Sequence, residues 1–132
     1  MRHSVPTLFT LCGVVLLGAC GGGKNPGFGG GVPAVTLAPT TLTFSEGAGT
    51  APAQTITFTN SGTVPLNITN IAASTNFSVD STACAATLAA GANCVVNVTF
   101  TPTVMDRPLS GTITFTDNAA NSPQTVALTG NN

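Results

Sequence analysis

The sequence has no tryptophan and no tyrosine, and its only histidine is His3. Serine–histidine and cysteine–histidine nucleophile systems are therefore excluded from everything beyond the third residue. Charge is almost as scarce. Three Lys/Arg stand against four Asp/Glu, and charged residues make up 5% of the chain, where about a quarter is usual. Without a basic patch, nucleic acid and anionic lipid surfaces are poor partners. The acids Glu46, Asp80, Asp106 and Asp117 fall in four different segments, at turns and strand ends. They read as solvated loop acids rather than as the paired carboxylates of a glycosidase. Asp117-Asn118 offers a hard cation one carboxylate and a neighbouring amide, too few oxygens for calcium. The expectation is a protein that is not an enzyme and uses no cofactor or metal.

What the sequence does have begins with an apolar run. Arg2 gives a short positive start. Leu8, Phe9, Leu11, Val14, Val15, Leu16 and Leu17 follow, closed by the small residues Gly18 and Ala19. This is the layout of a secretory signal, removed from the mature protein. It is too short for a comfortable membrane span, which needs about 20 apolar residues. The residues Leu17-Gly18-Ala19-Cys20 resemble the lipobox of bacterial lipoproteins. That resemblance implies cleavage after residue 19 and diacylglyceryl transfer to the Cys20 thiol, with fatty acyl chains such as palmitate as the anchor. A thiol suits this step because thiolate is a good nucleophile. Each buried CH₂ contributes about 0.8 kcal/mol, and two or three chains hold stably where one does not.

Of the four cysteines, Cys12 would leave with the signal and Cys20 would carry lipid. Cys84 and Cys94 remain, an even pair in an exported domain, and are expected to form one disulfide. Metal binding by the pair is the weaker alternative, since the mature chain has no histidine and no further free cysteine.

Residues 20–34 read as a tether. Gly21-Gly22-Gly23 and Gly29-Gly30-Gly31 with Pro26 and Pro33 make a flexible coil, not a phosphate-binding loop, which needs a strand before it and a helix after it. From Val35 onward the period is two. Val35 and Leu37, then Leu42 and Phe44, alternate with threonines, and Pro39 divides the two pieces as suits a sheet edge. Gln54–Asn60 is a clear strand. Leu66, Ile68 and Ile71 mark another that slips phase near Thr69-Asn70, as at a bulge. Phe77 and Val79, then Val96, Val98 and Phe100, then Ile113 and Phe115, then Val126 and Leu128 complete the set. Turn signals separate them and no helix pattern intervenes. The pattern predicts an all-β fold over residues 35–132, an antiparallel sandwich of about seven strands. The inward core is Leu42, Phe44, Ile56, Phe58, Leu66, Ile68, Phe77, Val79, Val96, Val98, Phe100, Ile113, Phe115, Val126 and Leu128.

Several stretches resemble one family. Phe58-Thr59-Asn60-Ser61-Gly62 with Pro65-Leu66-Asn67-Ile68 is one. Cys84 to Cys94 enclosing Leu88-Ala89-Ala90-Gly91, followed by Val98-Thr99-Phe100-Thr101-Pro102, is the second. Ser110-Gly111-Thr112-Ile113-Thr114 and Ser122-Pro123-Gln124-Thr125-Val126-Ala127-Leu128-Thr129-Gly130 close the match. Together they are similar to the bacterial choice-of-anchor D group, related to the ASH/hydin type of Ig-like module. The resemblance implies an Ig-like sandwich on an envelope protein, used for interaction or spacing, with no catalytic residues to carry over. The loop at Met105, Asp106, Arg107 and Pro108 departs from the small residues and glycine of such relatives, and is, with the exposed sheet edges, the expected partner contact.

The functional expectation is thus a cell-envelope protein, anchored to membrane through Cys20, whose domain meets another envelope protein or a polysaccharide. The second reading is carbohydrate binding by outward threonine rows, Thr55, Thr57, Thr59 and Thr112, Thr114, Thr116. Against it, threonine is the natural polar residue of a strand's wet side, and sugar sites usually add aromatic platforms.

Overall fold

The computed structural model describes residues 30–46, 51–104 and 107–131. The expected signal, Cys20 and most of the expected tether lie outside them. One compact unit runs over Gly31–Asn132.

Among the described residues there are nine strands and no helix. They are β1 (Val35–Ala38), β2 (Thr41–Ser45), β3 (Gln54–Asn60), β4 (Leu66–Ala73), β5 (Phe77–Asp80), β6 (Thr87–Leu88), β7 (Asn93–Phe100), β8 (Leu109–Asp117) and β9 (Gln124–Asn131). A four-stranded sheet has the order β1-β3-β7-β5, and a five-stranded sheet the order β2-β9-β8-β4-β6. The alternation of apolar and polar residues produces this directly. Along β7, Cys94, Val96, Val98 and Phe100 are buried while Asn93, Val95 and Asn97 face out. In β9, Val126, Leu128 and Gly130 are buried between exposed neighbours.

Five phenylalanines bind the sheets together. Phe58 of one sheet stacks on Phe115 of the other at 5.1 Å between ring centroids. Phe44 of the five-stranded sheet meets Phe77 at 5.9 Å and Phe100 at 6.1 Å, and those two lie 5.2 Å apart. Such ring pairs add to the burial energy of the side chains themselves. Close approach is required beside this cluster. A Cβ on Gly130 would overlap the Phe100 ring, so glycine is what lets β9 cross over it.

Two features differ from the antiparallel seven-strand expectation. The first is β2, which pairs in parallel with β9, Leu42 opposite Leu128 and Phe44 opposite Gly130. The chain crosses from one sheet to the other within Pro39 and Thr40. The second is β6, two residues that pair with Leu66 and Asn67 of β4. It brings Leu88 into the core at 7% exposure, with Cys94 and Ala119 also buried. Of the expected core, Ile68 and Val79 are half-buried, because β4 and β5 border the open side of the sandwich. The phase slip falls where the sequence puts it, with the register shifting between Ile68 and Asn70.

Candidate functional site

Cys84 and Cys94 form a disulfide with an S–S length of 2.04 Å and Cα atoms 5.2 Å apart. It ties the connection after β5 to the strand β7. The same connection is folded on itself, since the Cys84 N–H donates to the Ser81 carbonyl at 2.8 Å. The Thr82 N–H donates to Asp80 Oδ1 at 3.0 Å. That bond, then the Thr82 hydroxyl, holds the Asp80 carboxyl below its ordinary pKa. Asp80 is fully exposed, so this fixes its charge rather than burying it.

The connection and β4 enclose an open groove of about 310 Å³, walled by Ile68–Ile71 on one side and by Ser81, Cys84, Ala85 and Ala86 on the other. No lining residue is charged. At one end the Ile68 N–H donates to the Ala86 carbonyl at 2.8 Å, which closes that part of the β4 edge.

Asn60 is the one fully buried polar residue of the described core. Its amide donates to the carbonyls of Val64 at 2.8 Å and Leu88 at 3.0 Å, and its Oδ1 accepts from the Gly62 N–H at 3.0 Å. Its backbone bonds Ala92 and Gly91. Asn60 thus joins the turn before β4, the strand β6 and the turn before β7. Gly91 takes a φ of 78° in that turn, a conformation glycine adopts without strain.

Of the expected contact loop, Met105 and Asp106 lie outside the described residues, and Arg107 is exposed. The loop's first turn is latched to Asn76. Oδ1 of Asn76 accepts from the Thr103 N–H at 3.0 Å and hydroxyl at 2.8 Å, and its carbonyl accepts from the Thr101 N–H. Asn76 sits at φ 75°, the left-handed region that asparagine tolerates best after glycine.

The two threonine rows lie on opposite outer faces. Thr55, Thr57 and Thr59 stand on β3, beside Asn97, Val95 and Asn93 of β7. Thr112, Thr114 and Thr116 stand on β8, where Thr114 faces Thr125 and Ala72. They cannot act as one site. At the far end of β8, Asp117 Oδ1 accepts from the Ala119 N–H at 2.8 Å, and the Asp117 N–H donates to Ser122 Oγ at 3.0 Å. Asp117 Oδ2 and Gln124 Oε1 are buried without a partner. Two such oxygens fall short of the six to eight a calcium ion takes. Among the described residues no three His, Cys, Asp or Glu side chains gather in a metal-holding group.

Asn60 and Asn76 carry more of this architecture than a sequence reading gives them. Asn60-Ser61-Gly62 is legible only as a turn, and nothing in the sequence alone marks Asn76 as a latch. The groove is likewise invisible before the β4 edge is known.

Two stacked sheets with a terminal strand pair in parallel, closed by a disulfide, define an Ig-like β-sandwich domain. The chain belongs to the family described as "Protein of unknown function (DUF1573)", whose model matches residues 36–132. No curated protein matches the sequence. Among solved structures it is similar to a protein of unknown function from Porphyromonas gingivalis W83, with a TM-score of 0.65 and 14% identity over 76% of this chain and 47% of that one. It is similar to a chain of the CsuC-CsuE chaperone–tip adhesion subunit pre-assembly complex from Acinetobacter baumannii, with a TM-score of 0.57 and 10% identity over 74% of this chain and 51% of that one. The VesB protease of Vibrio cholerae gives 0.58 and 20% identity over 76% of this chain and 32% of that one. This chain spans about half or less of each, and at these identities the likeness is one of fold.

Proposed function

We propose that this is a lipid-anchored cell-envelope protein whose Ig-like domain is a non-catalytic interaction or spacer module. The observation that carries the reading is the Cys84–Cys94 disulfide. Disulfides form and persist in oxidising compartments outside the cytosol, which supports the apolar run before Cys20 as an export signal. The lipobox-like residues 17–20 supply the anchor, and residues 20–34 a tether. The resemblance to choice-of-anchor D modules implies an Ig-like sandwich used for interaction or spacing, which is the role proposed here. Similarity to a chain of a pilus pre-assembly complex is one of fold. Similarity to the VesB protease brings no chemistry with it, because the mature chain has no histidine to activate a nucleophile. Carbohydrate binding has the weaker support, since each threonine row lies alone on a broad sheet face rather than in the concave site ligands favour.

A Cys20→Ser variant tests the anchor. It is expected to accumulate unacylated and with residues 1–19 still attached, whereas a variant processed and membrane-bound like the native chain contradicts the proposal. A photo-reactive residue at position 107 tests the module. One discrete cross-linked partner is expected, and uniform labelling of abundant proteins counts against it.

A further inference from the structure

The chain enters the sandwich through a strap. Residues 31–34, the last of the expected tether, lie across the turn that follows β3. The Ser61 N–H donates to the Ala34 carbonyl at 2.8 Å, and the Thr36 hydroxyl donates to Ser61 Oγ at 3.0 Å. A Cβ on Gly62 would overlap the Val32 carbonyl oxygen, the Ala34 nitrogen and the Pro33 Cα. These are backbone atoms, which cannot swing aside as the end of a long side chain can. Gly62 does not take the left-handed φ of Gly91. Close approach of the strap, not the turn itself, is what calls for glycine here.

The strap lies at one end of the sandwich. Val35 is opposite Asn60, and the Asn60 backbone bonds Gly91 and Ala92. The Asn118 N–H donates to the Asn67 carbonyl at 3.1 Å, and Asn121 Nδ2 donates to the Val35 carbonyl at 3.3 Å. The turns at 61–65, 89–92 and 118–123 thus gather round the strap. The opposite end holds Glu46, bonded to Asn131, and Thr101, bonded to Asn76. Between the two ends runs β8, nine residues long, or about 30 Å at the usual strand rise.

Chain length then decides which end meets a membrane. Eleven residue steps separate Cys20 from Gly31. A glycine-rich coil of that length averages roughly 17–20 Å end to end and cannot exceed about 40 Å. The average is shorter than the sandwich. Bringing the far end to the bilayer takes nearly full extension, which chain entropy opposes. The strap's end also carries nothing that resists contact. None of residues 31–34, 61–65, 89–92 or 118–123 is charged. Asp117 beside them has Oδ1 on the Ala119 N–H and Oδ2 buried. Val32 is the most exposed large apolar side chain among the described residues, at 63%. Such a surface approaches lipid without desolvating a charge.

We propose that the end gripped by the strap is the membrane face of the domain. Val32 and the turns at 61–65, 89–92 and 118–123 stand against the bilayer that holds the Cys20 lipid, while Asn76, Thr103 and Arg107 point away from it. The proposal rests on the lipid-anchor reading and specifies the surface that reading leaves open. Gly62 keeps residues 31–34 on the domain, so they add nothing to the reach of the tether.

The test uses the full mature chain, purified from membranes, in phosphatidylcholine nanodiscs with and without a nitroxide-headgroup lipid. The amide signals of Val32, Gly62, Ala90 and Ala120 are expected to be lost to the nitroxide, while those of Asn76, Thr103 and Asn131 remain. Inserting about twenty Gly/Ser residues after Gly30 lengthens the average coil to roughly 28–33 Å, the length of the sandwich, and should shrink the difference without touching the fold. Gly62→Ala should release the strap, read as faster hydrogen exchange at the Ser61 amide. Equal loss at both ends, or loss at Asn76, Thr103 and Asn131 first, overturns the face and leaves the anchor standing. A difference unchanged by the insertion overturns the part given to tether length. Native protection of Ser61 in Gly62→Ala overturns the strap. An unmodified Cys20 thiol in the intact mass overturns the anchor reading and this face with it.

Discussion

Asn60 shows how one side chain can hold three segments of a sandwich at once. Its amide meets the Val64 and Leu88 carbonyls and its Oδ1 the Gly62 N–H, with Asn60 itself fully buried. Removing it strands the buried Leu88 carbonyl, costing about 1–3 kcal/mol, and loses two part-buried bonds, to the Val64 carbonyl and the Gly62 N–H, of about 0.5–1.5 kcal/mol each at most. Asn60→Ala is therefore expected to lower unfolding stability by about 2–4 kcal/mol in a urea titration, within the range for a broken buried network. A loss below 0.5 kcal/mol, an ordinary surface effect, would contradict the role given to it. Asp80 makes the opposite case, a fully exposed charge with a depressed pKa. A depressed carboxyl contributes stability above its unfolded value, and that contribution is lost as pH falls through the folded value. The stability gap between the native chain and Asp80→Asn should hold steady at neutral pH and shrink below the ordinary carboxylate value of 3.8. A gap that widens on acidification would reverse the sign and refute the assignment.

Among the elements, alternation is what made the fold legible. The period of two in Gln54–Asn60 and in Val96 to Phe100 identifies inward residues without any knowledge of pairing, and both segments fold as read. The bulge was visible because Leu66, Ile68 and Ile71 break that period. Pairing direction was not visible, because alternation is identical in parallel and antiparallel strands. Hence β2 beside β9 went unread. β6 escaped because two residues carry no period. The candidate site was less legible than the fold. The disulfide follows from cysteine count and context, whereas the groove depends on where β4 outruns its cover. The disulfide also has a measurable weight at this scale. Closing a loop of sequence separation 10 is worth about 2.5–3 kcal/mol in the chain-entropy treatment. Replacing both cysteines by serine should cost about that much, and should loosen the connection after β5 more than the strands. Hydrogen exchange, read amide by amide, checks the distribution. Uniform loosening across both sheets contradicts it.

At the scale of the whole molecule the composition agrees with the architecture. A chain with 5% charged residues has few means of steering partners by long-range fields. Any recognition by the domain then falls to shape and main-chain groups rather than to long-range charge. The proposed anchor would raise the local concentration of such a module at the membrane, so that modest contacts would suffice. The account therefore depends on export, cleavage and acylation at one position. The most direct measurement is the intact mass of the protein purified from membranes, before and after reduction. The account predicts a chain beginning at Cys20, heavier than its sequence by a diacylglyceryl group with or without a further acyl chain, and gaining two hydrogens on reduction. A chain that keeps residues 1–19, or one that begins at Cys20 with an unmodified thiol, would contradict it.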